Sequence, residues 1–328
     1  MIGTRTPFRF SFVGGGSDVA AFYENTPGKV ISVTVNKYMY IMLHPYFSEK
    51  FLIKYSTTEL VDTVEQVKHP IVQAALRRFS FNGLDINSIA DIPSGTGLGS
   101  SSAFTVGLLH ALYAQAGMFV GKERLADEAC QIEIEELKEP IGKQDQYAAA
   151  YGGLNRITFQ PNGNVDVEPV PLGRQGMRDF RDNLLVFYTG QTRDARSVLA
   201  DQNDDLSKKQ DKRGFLSEMA AMVDPFVDGL VAGDFDGCGR VLGEAWSMKK
   251  RMSSLIANES IDGYYDRALA NGATGGKLLG AGGGGFLLFM APPDAHARVR
   301  AALADLKEVD FEFDFAGSRI IYVENTGR

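Results

Sequence analysis

The amino-acid sequence predicts an α+β protein built in two halves. Its first half mixes β-rich stretches, such as residues 4–13, with a strongly apolar stretch at residues 100–116 that is typical of a buried helix. A compact apolar strand at residues 183–188 opens a second half in which helical and charged segments precede further strands. With 328 residues, the chain is long enough for two domains, which we place at residues 1–182 and 183–328.

The individual elements follow in chain order from the spacing of apolar residues and from the turn residues between them. Strands are predicted where β-branched and aromatic residues cluster, at residues 4–13, 30–43, 51–55, 183–188, 286–290, 311–313 and 319–323. Helical signals cover residues 70–79, 100–116, 122–138, 194–271 and 293–306.

Composition and charge exclude several classes of protein. The net charge is −7 and the sequence carries no long basic run, which argues against nucleic acid as a partner. Two cysteines, Cys130 and Cys238, give neither a disulfide framework nor the spacing of a zinc site. The first residues lack the apolar core of a signal peptide, and no apolar run approaches the ~20 residues of a membrane span. A cytoplasmic protein is therefore expected, with no membrane partner; the oligomeric state is not predicted.

A glycine-rich loop stands directly before the apolar helix at residues 100–116. Three alternating glycines and three hydroxyl residues occur in the run Pro93-Ser94-Gly95-Thr96-Gly97-Leu98-Gly99-Ser100-Ser101-Ser102. Glycines allow the backbone to approach a ligand, and a helix start adds unpaired N–H groups and partial positive charge. The run therefore predicts a phosphate site. It fits neither the P-loop nor the dinucleotide-binding pattern, and an ordinary turn with Ser100 as N-cap stays open.

A glutamate occupies the apolar face of the predicted helix at residues 122–138. With residues ~100° apart, Glu133 falls in the middle of the apolar arc and Glu135 on the polar side. A carboxylate on a buried face is costly unless it is paired or binds a metal. Glu133 is therefore a metal ligand, or else it pairs with a buried arginine or caps another element. Glu136 is the alternative metal ligand.

Three further features indicate chemistry close to the glycine loop. Asp145 is expected in a loop after this helix, where it is either a turn residue or, in a cleft, an acceptor for the proton of a hydroxyl. Arg9 would supply a cation beside it or hold phosphate, unless it is a surface arginine of the first strand. A second glycine cluster runs from Lys277 to Gly285. It indicates that the backbone closely approaches a ligand or another loop, and the alternative is that the segment is simply flexible.

Three segments, in chain order residues 5–18, 93–102 and 277–285, resemble motifs of the GHMP kinase superfamily, and the resemblance extends over nearly the whole chain. Residues 93–102 resemble its phosphate loop, with Ser102 where alanine is commoner. Residues 277–285 resemble its C-terminal glycine motif, and residues 5–18 resemble its N-terminal substrate motif. The resemblance implies a GHMP kinase fold, with a ribosomal protein S5 domain 2-like N-terminal domain, a ferredoxin-like C-terminal domain and the active site between them.

The resemblance also implies a role for each matching residue. Ser101 and Glu133 would hold Mg²⁺, and Asp145 would be the catalytic base, with Arg9 near it and near the transferring phosphate. ATP would bind the whole loop from residue 93 to residue 102. Asp18 would accept hydrogen bonds from sugar hydroxyls. Further substrate contacts are expected from Gly15, Gly16, Ser17, Lys143, Arg193, Gly282 and Gly283.

Three segments narrow the expected substrate. Gly15 and Gly16 stand where galactokinase-like proteins carry an acid and a histidine, which argues against galactose. Residues 6–18, 140–147 and 188–193 resemble D-glycero-D-manno-heptose 7-phosphate kinases. This resemblance implies phosphorylation of the anomeric (C1) hydroxyl to a 1,7-bisphosphate, as used in bacterial surface-polysaccharide synthesis.

The partners expected from this resemblance are a small sugar phosphate and ATP. Lys143 and Arg193 are the candidate cations for the 7-phosphate, because both lie in heptose-kinase-like segments. A fucokinase-type or other sugar 1-kinase is the alternative enzyme. A non-catalytic sugar sensor on the same scaffold is the alternative of a different class.

Overall fold

Two β-sheets with helices packed against them form the framework of the protein. The computed structural model describes residues 1–190 and 210–324. The predicted α+β class is confirmed by this mixture of sheets and helices. Within the described ranges, no helix combines the length and the apolar character that spanning a bilayer requires.

The strands and helices have the following bounds. The strands are β1 (Ile2–Ser11), β2 (Gly28–Pro45), β3 (Phe51–Lys54), β4 (Thr58–Val61), β5 (Leu84–Ala90), β6 (Leu154–Phe159), β7 (Val165–Pro169), β8 (Leu184–Tyr188), β9 (Gly275–Leu278), β10 (Phe286–Met290), β11 (Lys307–Glu308) and β12 (Arg319–Val323). The α-helices are α1 (Ala20–Tyr23), α2 (Pro70–Leu76), α3 (Ser100–Gln115), α4 (Lys122–Cys130), α5 (Gln144–Tyr151), α6 (Arg174–Asp182), α7 (Gln210–Ala221), α8 (Val223–Ala232), α9 (Phe235–Met252), α10 (Glu259–Ala270) and α11 (His296–Ala302).

The first sheet is organised around the long strand β2. Its strand order is β12-β1-β2-β5-β3-β4, and β6 pairs with β2 while β7 pairs with β6. Strand β2 pairs with β6 through residues 28–33 and with β5 through residues 39–45, so its two ends serve different neighbours. It is rich in valine, isoleucine and tyrosine, which suit a pleated and half-buried surface.

Helix α3 lies against β1 and β2 and is buried on nearly every side. A glycine makes this close approach possible, because a Cβ at Gly107 would lie 2.8 Å from Oγ1 of Thr6. The hydroxyl of Thr4 donates to the carbonyl of Gly107 across 2.9 Å. Further along the same strand, the N–H of Arg9 donates to the carbonyl of Leu98. Strand β1 therefore fixes both the helix and the loop that precedes it.

The second sheet has the order β11-β8-β10-β9 and is antiparallel throughout. It has a core of its own, in which Trp246, Phe187 and Phe289 are buried. Its strand β8 begins at Leu184, yet the later strand β12 pairs with β1 of the first sheet. The two sheets are therefore not two continuous stretches of chain, and a domain boundary after residue 182 stays a prediction.

Three segments differ from the expected secondary structure. The predicted helix at residues 122–138 is α-helical only to Cys130, and Gln131–Glu136 form a π-helix in which Leu137 donates its N–H to Ile132, five residues back. The wider turn shifts residues off the 100° spacing. Asp145 lies in the first turn of α5 rather than in a loop, where an acid interacts well with the helix dipole. Residues 311–313 form only an isolated bridge.

A glycine fixes the far end of α5, the helix that carries Asp145. Gly152 has φ +71° and ψ 164°, a conformation open essentially to glycine alone. A Cβ there would lie 2.1 Å from the backbone nitrogen of Gly317, in the segment that leads into β12. The end of α5 and the return of the chain to the first sheet therefore depend on each other.

We expect Gly152→Ala to destabilise the protein far more than Gly117→Ala. Gly117 also has a positive φ (+70°) but open space at its Cβ position, so alanine there costs only the left-handed strain of about 1–2 kcal/mol. At Gly152, backbone strain and overpacking act together and cost roughly 2–6 kcal/mol. Thermal unfolding followed by circular dichroism measures both variants. Equal melting temperatures would contradict the role given to the Gly152–Gly317 contact.

Candidate active site

The loop between β5 and α3 presents free backbone N–H groups. Gly95, Gly97 and Gly99 have φ of 73°, 83° and 77°, a left-handed backbone that favours glycine. Gly99 is the N-cap of α3, and no side chain caps the first turn of that helix. The reading of Ser100 as the N-cap is therefore wrong. The uncapped turn leaves N–H groups and partial positive charge at the loop, as an anion site requires.

The second glycine cluster closes directly onto this loop. A Cβ on Gly97 would lie 2.5 Å from the carbonyl oxygen of Leu279, and one on Gly280 would lie 2.3 Å from Cα of Gly97. A Cβ on Gly285 would lie 2.3 Å from the carbonyl oxygen of Thr96. Of the readings open from the sequence, the close approach to another loop is the one that the structure bears out.

Two members of this cluster, Gly282 and Gly283, contact the segment that connects α9 to α10. The N–H of Gly283 donates to the carbonyl of Ile256 across 2.8 Å, and a Cβ on Gly282 would lie 2.7 Å from Cα of Ile256. Both glycines are buried. Their expected contact with substrate stays a prediction.

Arg9 and Asp145 form a bidentate ion pair beside the loop. Nε and Nη2 of Arg9 donate to Oδ1 and Oδ2 of Asp145, each across 2.8 Å, and Nη1 donates to the carbonyl of Gly97 across 2.6 Å. Arg9 is only 6% exposed, so its reading as a surface arginine is wrong. The Asp145 side chain stays 27% exposed, which leaves its carboxylate within reach of a ligand.

Glu133 lies directly below the start of α3. Its Oε1 accepts a hydrogen bond from Oγ of Ser101 across 2.6 Å, and its Oε2 accepts one from Nε2 of Gln146 across 2.8 Å. Burial raises the pKa of Glu133 to about 7, opposed by these bonds and by the Ser102 hydroxyl. Within residues 1–190 and 210–324, no cationic side chain bonds to it. The alternative of a buried arginine partner is therefore not supported.

The other two glutamates of this segment lie at the surface. Glu135 and Glu136 are exposed, and Glu136 forms an ion pair with Arg78. Glu136 is therefore a poor alternative ligand. The hydroxyl of Ser101 and the carboxylate of Glu133 are hard oxygen donors of the type that Mg²⁺ prefers. They are too few for an all-protein cage, and the described residues contain no cluster of three acidic, histidine or cysteine ligands. The set fits a magnesium ion that takes its remaining ligands from phosphate and water.

Asp18 closes the loop after β1 and is buried. Its Oδ1 accepts from the N–H of Gly16 across 2.9 Å, and its Oδ2 accepts from the N–H of Gln144 across 3.2 Å. Burial raises the pKa of this carboxyl, and the negative charge of Asp145 raises it further. Gly142 must be glycine, since a Cβ there would lie 2.1 Å from Oδ2 of Asp18. The two predicted acids, Asp18 and Asp145, therefore share one site.

The rest of the substrate motif shapes this loop. Ser17 is fully buried, and its hydroxyl lies within hydrogen-bond distance of the carbonyls of Gly14 (2.8 Å) and Lys29 (2.9 Å), which share its one donor. Gly15 and Gly16 are partly exposed beside it. The hydroxyl of Ser17 therefore maintains the loop conformation, while a Cβ on Gly16 would lie 3.0 Å from the Leu216 side chain.

Gln144 is a residue that sequence reasoning missed. Its side-chain Oε1 accepts from the Ser11 hydroxyl across 3.2 Å, while Nε2 is buried without a partner in the described chain. A Cβ on Gly15 would lie 3.9 Å from Oε1, so the amide borders the substrate loop. A buried amide that lacks a partner is costly, and a ligand hydroxyl would satisfy it. Its position next to Asp145 was the only signal in the sequence.

Lys143 and Arg193 are the two cations expected to bind the 7-phosphate of the sugar, and the structure describes only the first of them. The ammonium of Lys143 donates to the carbonyl of Gly163 across 3.2 Å and lies 5.3 Å from the ring centre of Tyr23, at the outer side of the Asp18 loop. Arg193 lies outside the described residues. Neither role is tested by these contacts.

Two lysines of the second domain that the sequence reasoning did not single out also reach the site. The ammonium of Lys249 donates to the carbonyl of Gly280, and its charge interacts with those of Arg9 and Asp145. Lys277 is buried and donates to the carbonyl of Phe12 across 2.7 Å, which joins the second sheet to β1. Lys249 stands in a basic run at the end of α9, and such a run usually forms a solvated face.

A cleft of about 970 Å³ lies elsewhere, between the end of α5, the strands β6 and β7, and helix α6. Phe313 and Phe315 line it on the opposite side. None of the phosphate-loop, Arg9, Asp145 or Glu133 side chains reaches it. Chemistry rather than cavity size therefore identifies the candidate site.

Comparison with known proteins gives the same assignment for both halves of the chain. Residues 64–153 match the family GHMP kinases N terminal domain, and residues 226–308 match GHMP kinases C terminal. The Campylobacter jejuni protein named D-glycero-alpha-D-manno-heptose 7-phosphate kinase is 28% identical over 96% of this chain and 96% of its own length. A bifunctional fucokinase/GDP-fucose pyrophosphorylase of Arabidopsis thaliana is 27% identical over 93% of this chain and 31% of its own length.

Solved structures show the same fold. The crystal structure of a D-glycero-D-manno-heptose 1-phosphate kinase from Bacteroides thetaiotaomicron has a TM-score of 0.80 at 23% identity, over 99% of this chain and 100% of that one. This chain has a glycine loop at the start of a buried helix, and it matches both family domains in the expected order. The chain therefore belongs to the GHMP kinases, a family of phosphotransferases.

Proposed function

We propose that this kinase transfers the terminal phosphoryl group of ATP to the anomeric (C1) hydroxyl of D-glycero-D-manno-heptose 7-phosphate, giving the 1,7-bisphosphate. The observation that carries the reaction type is the position of Asp145. A partly exposed carboxylate is held by two hydrogen bonds from Arg9, and the same guanidinium bonds to the carbonyl of Gly97 in the phosphate loop. An acceptor for the hydroxyl proton and a site for the phosphate donor are therefore rigidly coupled.

The substrate assignment rests on relatives and on the two glycines, Gly15 and Gly16, of the substrate loop. The Campylobacter jejuni relative, which matches this chain nearly end to end, is named for a heptose 7-phosphate. The Bacteroides thetaiotaomicron structure is named for a 1-phosphate, so the two names differ in the position that they give to a phosphate. Glycines in the substrate loop leave more room than larger residues, which favours a heptose over a hexose.

The residues of the site suit a single in-line displacement. The sugar hydroxyl binds against Asp18 and the Gln144 amide, with its proton directed at a carboxylate oxygen of Asp145. Each oxygen of Asp145 keeps a lone pair besides the bond from Arg9. As Asp145 accepts the proton, the hydroxyl oxygen bonds to the terminal phosphorus of ATP. The bond from that phosphorus to the bridging oxygen breaks, and ADP leaves with the electron pair.

Ser101 and Glu133 are the residues that would hold magnesium. A bound ion would neutralise phosphate charge at the start of α3 and would replace the hydrogen bond that now joins the two side chains. It would also compensate for the burial of Glu133, which by itself favours the protonated acid. The phosphate loop and the helix start contribute N–H groups to the same phosphates.

A fucokinase-type sugar 1-kinase is the second candidate, because a fucokinase relative matches 93% of this chain. A non-catalytic sugar sensor is less well supported. A sensor has no need for a buried carboxylate against the loop or for an aspartate aligned by an arginine, and this chain has both.

Replacement of the proposed base should abolish turnover and spare nucleotide binding. We expect Asp145→Asn to lower kcat by roughly 10²–10⁴. ATP affinity, measured by calorimetry, should stay within a few-fold of the parent value. Asp127→Asn, at an exposed position of α4, is the matched control and should behave like the parent protein. Near-normal turnover by the Asp145 variant in a coupled ADP-release assay would reject the assignment.

Two glutamates two residues apart should differ sharply in their effect on magnesium dependence. Glu133→Gln removes a buried ligand of the metal. The Mg²⁺ concentration that gives half-maximal rate should therefore rise by at least roughly 10–100-fold, which is the effect of losing a residue that only supports a metal ligand. Glu135→Gln changes an exposed side chain and should be silent. Initial rates across a magnesium titration measure both, and a larger effect at Glu135 would reverse the metal assignment.

Substrate preference should depend on the distal phosphate. Two charge-assisted hydrogen bonds, at about 1.5–3 kcal/mol each, predict a preference on the order of 10²–10⁴ in kcat/KM for the heptose 7-phosphate over unphosphorylated heptose, mannose and fucose. Lys143→Gln should lose roughly 10–100-fold of that preference, whereas the exposed Lys68→Gln should lose none. A hexose that matches the heptose phosphate would favour the fucokinase-type alternative.

A further inference from the structure

We propose that Lys249, at the end of α9 in the second domain, is a catalytic residue that binds the phosphoryl group being transferred. This inference rests on the proposed phosphotransfer and adds to it a contact from the opposite side of the cleft. Arg9, Asp145 and the phosphate loop all belong to the first sheet and its helices. Among the described residues, Lys249 would supply an ammonium group by which the second domain reaches the reacting phosphorus.

The first observation is where the ammonium is held. Nζ of Lys249 donates to the carbonyl of Gly280, in the glycine cluster that closes onto the phosphate loop. Gly280 touches the backbone of Gly97, whose carbonyl accepts the third hydrogen bond from Arg9. Lys249 and Arg9 are thus attached to two backbone segments in direct contact, and they approach the loop from opposite domains.

The second observation is the charge that surrounds the ammonium. Four groups on other elements face it electrostatically: Arg9 on β1, Asp18 in the loop after β1, Asp145 on α5 and Lys277 on β9. Burial and the nearby Arg9 charge together lower the pKa of Lys249 to about 8, against the opposing effect of the two aspartates. Within the described ranges, neither aspartate forms a hydrogen bond or ion pair with Lys249. Its charge is therefore balanced only at a distance.

The third observation is the unused bonding capacity of the group. An ammonium has three N–H donors, and the Gly280 carbonyl accepts one of them. Lys249 is partly buried, and a neutral carbonyl does not compensate such a positive charge as an anionic oxygen would. A terminal phosphate oxygen of ATP, lying between the loop and Asp145, would supply that anion. Charge developing on the phosphoryl oxygens during transfer would strengthen the same contact.

Neighbouring lysines show that this arrangement is specific to Lys249. Lys250, the next residue along α9, forms an ion pair with Asp262 across 2.7 Å and so belongs to a surface network. Lys277 is buried but donates to the carbonyl of Phe12, where it links the two domains. Lys250 is therefore the matched control, with the same chemistry, the same helix and no part in the site.

A purely structural role for Lys249 makes a different prediction from the catalytic one. If the side chain only anchored Gly280, its loss would loosen the loop and weaken ATP and ADP binding alike. If it binds the terminal phosphate, its loss should weaken ATP binding by roughly 10-fold and leave ADP binding unchanged. This comparison needs no sugar, so it stays informative even if the sugar assignment fails.

The decisive experiment compares Lys249→Met, Lys249→Arg and Lys250→Met with the parent protein. Calorimetry measures ATP and ADP affinity, and the coupled assay measures kcat. We expect Lys249→Met to lose roughly 10²–10³ in kcat, as does removal of one preorganised donor to a transition state. Lys250→Met should retain full activity. Parent-like ATP binding and turnover by Lys249→Met, or an equal loss of ATP and ADP binding, would overturn the proposal.

The pH profile gives a second, independent test. An ammonium with a pKa of about 8 is charged below that pH and loses its charge as the pH rises through it. Hence kcat/KM, which reports the free enzyme, should fall above about pH 8. Arginine stays charged throughout this range, so Lys249→Arg should move the alkaline limb upward. An unchanged limb in that variant would contradict a role for the Lys249 charge. If instead Asp145→Asn stays active, the proposed base is wrong and Lys249 is judged by its ATP–ADP difference alone.

Discussion

The bidentate contact between Arg9 and Asp145 is the interaction on which the rest of the site depends. Three segments meet in it: strand β1 supplies the guanidinium, α5 supplies the carboxylate, and the phosphate loop supplies the carbonyl of Gly97. A planar guanidinium with fixed donors sets the orientation of a carboxylate more tightly than a lysine would. Because Arg9 is buried, its charge has to be compensated by these partners. Reaction geometry and folding are therefore coupled at one side chain.

The site keeps several polar groups at the expense of stability. Glu133 is buried against two hydroxyls and an amide, Asp18 against backbone N–H groups, and the Gln144 amide has one unsatisfied end. Each of these would be cheaper to bury if it were apolar. Asp18 and Gln144 lie at the substrate motif and Glu133 at the start of α3, and of the three only the Gln144 amide lacks a partner within the described residues. Polar groups retained at this cost indicate a site for polar ligands.

Close backbone contacts between glycines join the two domains at points where a side chain would not fit. Gly97 and Gly280 approach so closely that a Cβ on either would strike the other backbone, and Gly285 meets Thr96 in the same way. These contacts bring the end of α9 to the reacting centre. The role proposed for Lys249 depends on this close packing, since its ammonium bonds to Gly280 in the same cluster.

Local patterns in the sequence determined much of this protein. Alternating glycines before an apolar helix, the apolar periodicity that placed Glu133 on a buried face, and the β-rich stretches each depend on neighbouring residues, and the elements at β1, β2, α3, β8 and β10 follow from them. Only the tertiary structure decided the rest. The π-helix after Cys130, the helical position of Asp145, the partners of Glu133 and the approach of Lys249 to Arg9 depend on residues far apart in the chain. Periodicity cannot specify such contacts, because they are made by packing two sheets and their loops together.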